Sequence, residues 1–470
     1  MGSISSSRDE SKYHAVLFPF MSKGHTIPQI HLAHLLLRRG IAVTFFTTPA
    51  NRPFIAKSLA DTTASIIDLP FPKNIPEIPP EVESTDKLPS MSLFPKFALA
   101  TKHMQADFEK ALEVLPRVNF MVSDGFLWWT LESANKFGFP RLVFYGMNVF
   151  AMCVSRAVVG ARLLFGPESD DELITVPQFP WIKVTKNDIE PSFRDPEPKG
   201  LHFEFNMACL KAGINSYGYL SNSFYQLEST FVDYWNREEN RNKVWLVGPL
   251  CLADPLRIEH EPHKRPTWIQ WLDQKLDHGS PVLYVAFGSQ AEISQEQLRE
   301  IAIGLEKSGV NFLWVTRTKE SELGDGFEER VKERGIVVRE WVNQREILMH
   351  PSVQGFLSHC GWNSAMESIC AGVPILAWPM MAEQHLNARM IVEEIKVGVR
   401  VETCNGSVRG FVKWEGLEKT VKELMEGEVG KMARKNVEDY ALKAKKAMEE
   451  ETGSSWQTLD TLIGKFCSSN

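Results

Sequence analysis

Two short stretches of this chain carry side chains whose types and spacing could do chemistry. The first is His359-Cys360-Gly361-Trp362-Asn363-Ser364. The apolar run before it, 355–358, reads as a buried strand, and a helical pattern begins at Ala365, with Ser364 and Glu367 at capping-box spacing. A strand that passes through a Gly-containing turn into a helix aims free backbone N–H groups and the positive dipole end at one spot. His359, Asn363 and Ser364 add side-chain donors, and no carboxylate interrupts residues 358–364. That spot suits a phosphate. Trp341, upstream, is an aromatic able to stack on a flat base, so the segment from 341 to 384 reads as a site for a sugar-bearing diphosphate. The alternative is a strand–turn–helix unit whose His359 and Trp362 merely pack.

The second stretch, Met21-Ser22-Lys23-Gly24-His25-Thr26-Ile27-Pro28, follows a strand expected over 14–20. Gly24 allows a tight exit and Pro28 suits a first helical turn, which puts His25 in a loop beside a helix N-terminus. The dipole there would lower imidazole basicity and keep the ring neutral at pH 7, the form a general base needs. Asp124 closes another apolar strand, 120–124. A His–Asp pair is therefore feasible, the carboxylate holding one ring nitrogen and stabilising the imidazolium after proton transfer. Taken alone, His25 could as well cap or pack, and Asp124 could as well cap a helix or close a turn.

The 44 residues from Trp341 to Gln384, with HCGWNS in their middle, resemble the signature box of the plant family-1 UDP-glycosyltransferases in both length and residue identity. The resemblance implies roles one residue at a time. Trp341 would lie under the uracil, with Val342 and Gln344 at the nucleoside and Glu367 on the ribose hydroxyls. His359, Asn363, Ser364 and, from the turn after strand 281–288, Ser289 would hold the diphosphate. Trp362, Glu383 and Gln384 would address the sugar; Glu383 stands where many members have Asp, and a Gln at position 384 is associated with glucose where His is associated with galactose. His25 matches the family's catalytic base and Asp124 its partner. His25 would take a proton from an acceptor hydroxyl, which attacks C1 of the sugar from the face opposite UDP, with inversion. No D-x-D motif is present to hold a divalent metal, and no G-x-x-x-x-G-K-[ST] loop, so neither metal nor cofactor is expected beyond UDP-glucose as donor substrate. Phe20, Met21, Phe126, Trp128, Trp129, Met147 and Phe150 lie on or beside the loops that should line the acceptor pocket, about half of them as contacts and the rest as core. Such aromatic richness suits a flat phenolic acceptor, of which a flavonoid is one.

These residues need a frame to hold them. Short apolar strands are expected at 14–20, 41–48, 65–71, 120–124, 141–145, 219–224 and 244–247, with helices at 30–39 and 98–115 between them. A second alternation has strands at 281–288, 311–316, 335–340, 355–358 and 373–378. Helices are expected at 268–275, 295–308 (Ser294 and Gln297 as its capping box), 431–446 and 454–466. Such alternation argues for parallel strands with helices on both faces. The fold class is α/β, with two Rossmann-like, doubly wound domains facing across a cleft, the arrangement called GT-B in the family that the box resembles. Residues 1–250 form the acceptor domain, 251–266 a linker rich in Pro, His and charge, and 267–470 the UDP-sugar domain, whose last helix is free to pack back on the first.

Composition narrows the partners. A chain of 470 residues with 43% hydrophobic residues can bury two sizeable cores. A net charge of −7, without a basic stripe, argues against nucleic acid. Seven cysteines without CxxC spacing fit free thiols in a reducing cytosol, and neither a disulfide framework nor a zinc site. The leader lacks an apolar core and no run is long enough to span a bilayer, so a cytoplasmic monomer is expected; Gly2 and Ser6 fit the loose myristoylation pattern. Three other functions compete: transfer of another UDP-sugar (galactose, xylose, rhamnose or glucuronic acid), non-catalytic nucleotide-sugar binding, and nucleotide-sugar oxidoreduction or epimerisation. The last lacks its early G-x-G-x-x-G, and a binder has no need of a base in the opposite domain.

Overall fold

The computed structural model describes residues 12–238, 242–254 and 265–467. Its fifteen described strands are β1 (Tyr13–Phe18), β2 (Ile41–Thr47), β3 (Ser65–Asp68), β4 (Phe120–Asp124), β5 (Arg141–Tyr145), β6 (Ile174–Val176), β7 (Phe179–Val184), β8 (Gly218–Ser221), β9 (Lys243–Leu246), β10 (Val282–Ala286), β11 (Asn311–Val315), β12 (Gly335–Val338), β13 (Val353–Ser358), β14 (Ile375–Ala377) and β15 (Gly398–Arg400). They make a seven-stranded sheet in the order β3-β2-β1-β4-β5-β8-β9, a six-stranded sheet in the order β12-β11-β10-β13-β14-β15, and the hairpin β6-β7. Both large sheets are parallel throughout. Central strands such as β4 and β10 are buried along their whole length, which is why neither alternates between apolar and polar residues.

Strand order reverses between β1 and β4 in one sheet and between β10 and β13 in the other. Ligands of open α/β sheets bind outside the carboxyl ends of strands at such switch points. Those four strand ends deliver His25, Asp124, Ser289 and His359 respectively. Fold and candidate chemistry therefore coincide before any side-chain contact is considered.

Several local expectations change. The first helix runs Lys23–Leu37, so His25 sits inside its first turn and Pro28 lies in its interior. Pro28 cannot donate to the Gly24 carbonyl four residues back, and that carbonyl instead accepts the side-chain amide of Asn363 from the other sheet's domain, at 2.5 Å. The helix Trp362–Ala371 is capped by Gly361, which puts Ser364 in its first turn, and Glu367 reaches Gln344 in place of a capping-box partner. Ser294 does cap Gln295–Ser308, but the Gln297 side chain pairs with the backbone of Val412. The single helix expected over 98–115 is two, Phe94–Ala100 and Gln105–Glu113, joined by a 3₁₀ turn. The hairpin and β15 were not anticipated.

Of the segment read as linker, residues 255–264 lie outside the described residues, as do Gly2 and Ser6. Its first residues pack, Cys251 and Ala253 being 5% and 3% exposed. The last helix, Ser454–Cys467, lies on the first sheet: Leu459 and Leu462 join that core and Phe466 stacks on Phe120 at 5.2 Å. All seven cysteines are free. Among the described residues no helix is long and apolar enough to cross a membrane, and no group of three or more His, Cys, Asp or Glu side chains is placed to hold a metal ion.

Candidate active site

His25 Nδ1 and Asp124 Oδ2 lie 2.7 Å apart. Asp124 is fully buried, and its other carboxylate oxygen accepts the Phe126 N–H at 2.9 Å. The tautomer that satisfies this geometry has Nδ1–H donating to the carboxylate, which leaves Nε2 with a lone pair. Behind the pair stands Arg141, a fully buried guanidinium. It donates to Ser123 Oγ (2.7 Å), Thr130 Oγ1 (2.9 Å), Ser216 Oγ (2.8 Å) and the Asp124 carbonyl (3.0 Å). Burial lowers its pKa to about 10, which still leaves it charged at neutral pH. Sequence reasoning missed Arg141; a lone charge opening the apolar strand Arg-Leu-Val-Phe-Tyr was the available signal.

Burial pulls the His25 pKa down, but the Asp124 charge, its hydrogen bond and the more distant Glu383 carboxylate raise it further, and the net shift is upward. The expectation that the helix dipole would lower imidazole basicity is thus corrected: a buried carboxylate in contact outweighs a partial charge at a helix end.

On the second domain the expected turn is present. Cys360 adopts a left-handed φ of 63°, uncommon for a residue with a side chain. Its N–H donates to Ser358 Oγ at 3.1 Å and its carbonyl accepts Asn387 Nδ2 at 2.9 Å. Gly288 and Gly361 flank the His359 ring so closely that a Cβ on either would come within 3 Å of Nε2. Burial brings the His359 pKa down to about 4, so the ring is neutral at pH 7 and serves as a hydrogen-bonding group without formal charge. Ser289 is exposed in the loop after β10. Gln344 Nε2 donates to Ser364 Oγ (2.9 Å) and Glu367 Oε2 (2.6 Å), which joins two residues expected at the nucleoside to one expected at the diphosphate. Trp341 is 68% exposed, its ring available for stacking. Gln384 Oε1 accepts the N–H groups of Met380 and Met381, both at 3.0 Å, which leaves its amide NH₂ as the donating end.

Three expected contacts change character. The Trp362 ring is 1% exposed and its indole N–H donates to the Asn222 carbonyl at 2.9 Å, so only its main chain faces the turn. Val342 is likewise buried in the core and offers main chain alone. Asn363 does not stand free for an anion: besides donating to Gly24 it accepts from Asn222 Nδ2 at 2.9 Å. It thereby ties the turn after β13 to the residue next to His25. Asn222 was not foreseen, because contacts between domains leave no periodic trace in sequence.

Beside His25 lies an aromatic cluster. Phe20 and Phe126 stand 5.8 and 4.9 Å from its ring, and Phe94 and Phe205 complete the group. Phe94 and Phe205 were missed because they sit on helices that the strand-edge argument does not reach. Of the seven acceptor-pocket candidates, Trp129 and Phe150 are core: Trp129 donates to Thr101 and Phe150 packs edge-on to Phe231. Met21 is 3% exposed, while Trp128 and Met147 are half-buried.

Comparison with known proteins supplies a framework for this geometry. A family model described as "UDP-glucoronosyl and UDP-glucosyl transferase" matches residues 259–437. The chain is 58% identical, over 97% of both sequences, to UDP-glycosyltransferase 90A1 of Arabidopsis thaliana. It is 34% identical to UDP-glucose flavonoid 3-O-glucosyltransferase 7 of Fragaria ananassa, over 96% of each. Among solved structures, UGT73P12 of Glycyrrhiza uralensis, complexed with glycyrrhetinic acid 3-O-monoglucuronide, superposes with a TM-score of 0.85 at 31% identity, covering 97% of this chain and 96% of that one.

Proposed function

Since the chain belongs to the plant family-1 UDP-glycosyltransferases, enzymes that move a sugar from a UDP-sugar to a small acceptor, we propose that its donor is UDP-glucose and its acceptor a phenolic hydroxyl, flavonoid-like, glucosylated with inversion by a cytoplasmic monomer. The observation that carries the reading is the His25–Asp124 pair, held one residue from the contact between Gly24 and Asn363. General base and phosphate-binding turn are thus parts of one hydrogen-bonded unit that spans both domains.

In this reading His25 Nε2 takes the proton of the acceptor hydroxyl as its oxygen bonds to C1 of the sugar and the bond from C1 to the UDP oxygen breaks. Asp124 balances the imidazolium so formed. Positive charge does not have to come from a metal: main-chain N–H groups after Gly361, with His359, Ser364 and Ser289, stabilise the departing diphosphate. Gln384 presents its NH₂ group to the sugar, and Trp341 stacks on the uracil. The Phe20, Phe94, Phe126 and Phe205 cluster offers flat apolar walls to an aromatic acceptor beside the base.

The test is turnover of UDP-glucose with a panel of phenolics in EDTA, parent against His25→Ala, following UDP release and glucoside mass. Glucosides from the parent and none from the variant are expected. Activity only with another UDP-sugar would overturn the donor assignment, dependence on added metal the metal-free step, and tight UDP binding without turnover of any acceptor the reading as a catalyst.

A further inference from the structure

The loop after β10 carries more than Ser289. Gln290, the next residue, is half-buried, and its side chain crosses to the other domain, where Nε2 donates to Ser22 Oγ at 3.0 Å and to Thr85 Oγ1. Both hydroxyl-bearing residues are buried, Ser22 at 5% and Thr85 at 2% exposure. They are held together within their own domain, because the Thr85 N–H donates to the Met21 carbonyl at 3.0 Å. Ser22 precedes the helix Lys23–Leu37, a position from which a serine side chain ordinarily caps, yet its hydroxyl makes no cap there. Its carbonyl accepts the N–H groups of His25 and Thr26 at 3.1 and 2.9 Å, so Ser22 is the foot of the turn that carries His25.

Two further contacts join the same pair of segments. Glu292 Oε1 accepts the Met91 N–H at 2.7 Å, and Arg317, just past β11, donates to the Asp86 carbonyl at 3.1 Å and lies 3.7 Å from its carboxylate. Both are exposed, and exposed charged contacts contribute little. Gln290 is the side chain of the three that reaches the buried hydroxyls beside the His25 turn.

We propose that Gln290 is a positioning residue for the transfer, docking the Ser289 loop on the Ser22 turn and so setting the distance between diphosphate and base. This rests on the reading of His25 as base and Ser289 as a diphosphate ligand. Gln290 acts through the backbone on either side: Ser289 is its neighbour in the chain, and Ser22 holds the His25 N–H. Asn363 makes a comparable tie at Gly24. The His25 turn is therefore held from β10 and from β13, the two strands that flank the switch point of the second sheet. Reacting atoms must come within about 3–3.5 Å of one another. Loosening one tie lowers the fraction of molecules in which His25 is so placed, without removing any contact to the donor.

The test is steady-state kinetics with UDP-glucose and a saturating phenolic, with UDP affinity by calorimetry. The proteins are the parent, Gln290→Met, Ser22→Ala, Thr85→Val and Thr85→Ser. Gln290→Met keeps the length of the side chain and loses two neutral hydrogen bonds, so kcat should fall about 5- to 100-fold. The KM for UDP-glucose, the UDP affinity and the acid limb of the pH–rate profile should stay parental, since no group that touches substrate is altered. Thr85→Ser should keep the parental rate and Thr85→Val lose part of it, a comparison that decides the matter should Gln290→Met not fold. In the Gln290→Met background, Ser22→Ala and Thr85→Val should add nothing. Hydrogen exchange over residues 84–91 with UDP bound needs no turnover and should quicken in Gln290→Met, so docking is read even if the chain turns over no acceptor, the result that refutes the catalytic reading instead. Parental kcat in Gln290→Met, a fall in kcat matched by an equal loss of UDP affinity, additive effects in the double variants, or unchanged exchange would each overturn the role.

Discussion

Replacing Asp124 with Asn is the most discriminating perturbation of the proposed base, because its consequence follows from two distances. The Phe126 N–H at 2.9 Å fixes one oxygen of residue 124 as an acceptor. An asparagine must therefore keep its oxygen there and turn its NH₂ group toward His25 Nδ1, where the carboxylate oxygen stood at 2.7 Å. The imidazole then has to accept at Nδ1 and carry its proton on Nε2, the wrong tautomer for a base. The charge balancing the imidazolium is lost as well. For unit charges about 4 Å apart at an effective dielectric of about 20, that is worth about 4 kcal/mol, or roughly a thousandfold in rate. This lies inside the roughly 10²- to 10⁴-fold range of general-base assistance. The assay is kcat with UDP-glucose and a saturating phenolic acceptor for the parent, Asp124→Asn and His25→Ala, with circular dichroism to verify the fold. Asp124→Asn should fall to nearly the residual rate of His25→Ala. Retention of more than about a tenth of parental kcat would refute the tautomer argument.

Three further outcomes follow from the same geometry. The net upward shift of His25 means that the neutral base is lost as pH falls through a value above about 6.5, so kcat/KM should show an acid limb above that value; Glu383→Gln removes one of the charges raising it and should move the limb to lower pH, measured as a pH–rate profile. Trp341→Ala should weaken UDP binding about 5- to 100-fold by calorimetry, the worth of base–aromatic stacking, with Tm unchanged because the ring is already exposed. Arg141→Leu strips three hydroxyls and the Asp124 carbonyl of their donor and should cost about 3–5 kcal/mol in urea denaturation.

Much of this was readable in the sequence where one local signal dominated. Strands β4 and β5 take the bounds read from the sequence, 120–124 and 141–145, because their apolar residues are buried on both faces, while Asp124 and Arg141 stand at their ends. The helix Gln295–Ser308 was equally legible from a strong cap and a clean apolar stripe. Pro28 misled because proline favours a first turn, yet a proline deeper in a helix is tolerated when the carbonyl it orphans has another partner, here Asn363. The direction of the His25 shift was not legible either, since it depends on how close a residue 99 positions away in sequence comes to rest. Asn222, Trp362 and Asn363 illustrate the general limit: where two domains dock, what a side chain touches is set by their mutual placement and not by its neighbours in the chain.

The return of the last helix to the first sheet has a mechanical consequence. The chain crosses between the domains twice, once after β9 and again between the helices Glu428–Ala447 and Ser454–Cys467. One tether would permit swivelling in any direction. A pair of tethers leaves chiefly rotation about the line through them. Backbone scission anywhere in 255–264 should then nick the molecule without parting it, because the second crossing and the seam of Leu459, Leu462 and Phe466 still join the pieces. Cargo fused to the C-terminus would ride on the half that holds His25, not on the half whose sequence immediately precedes it.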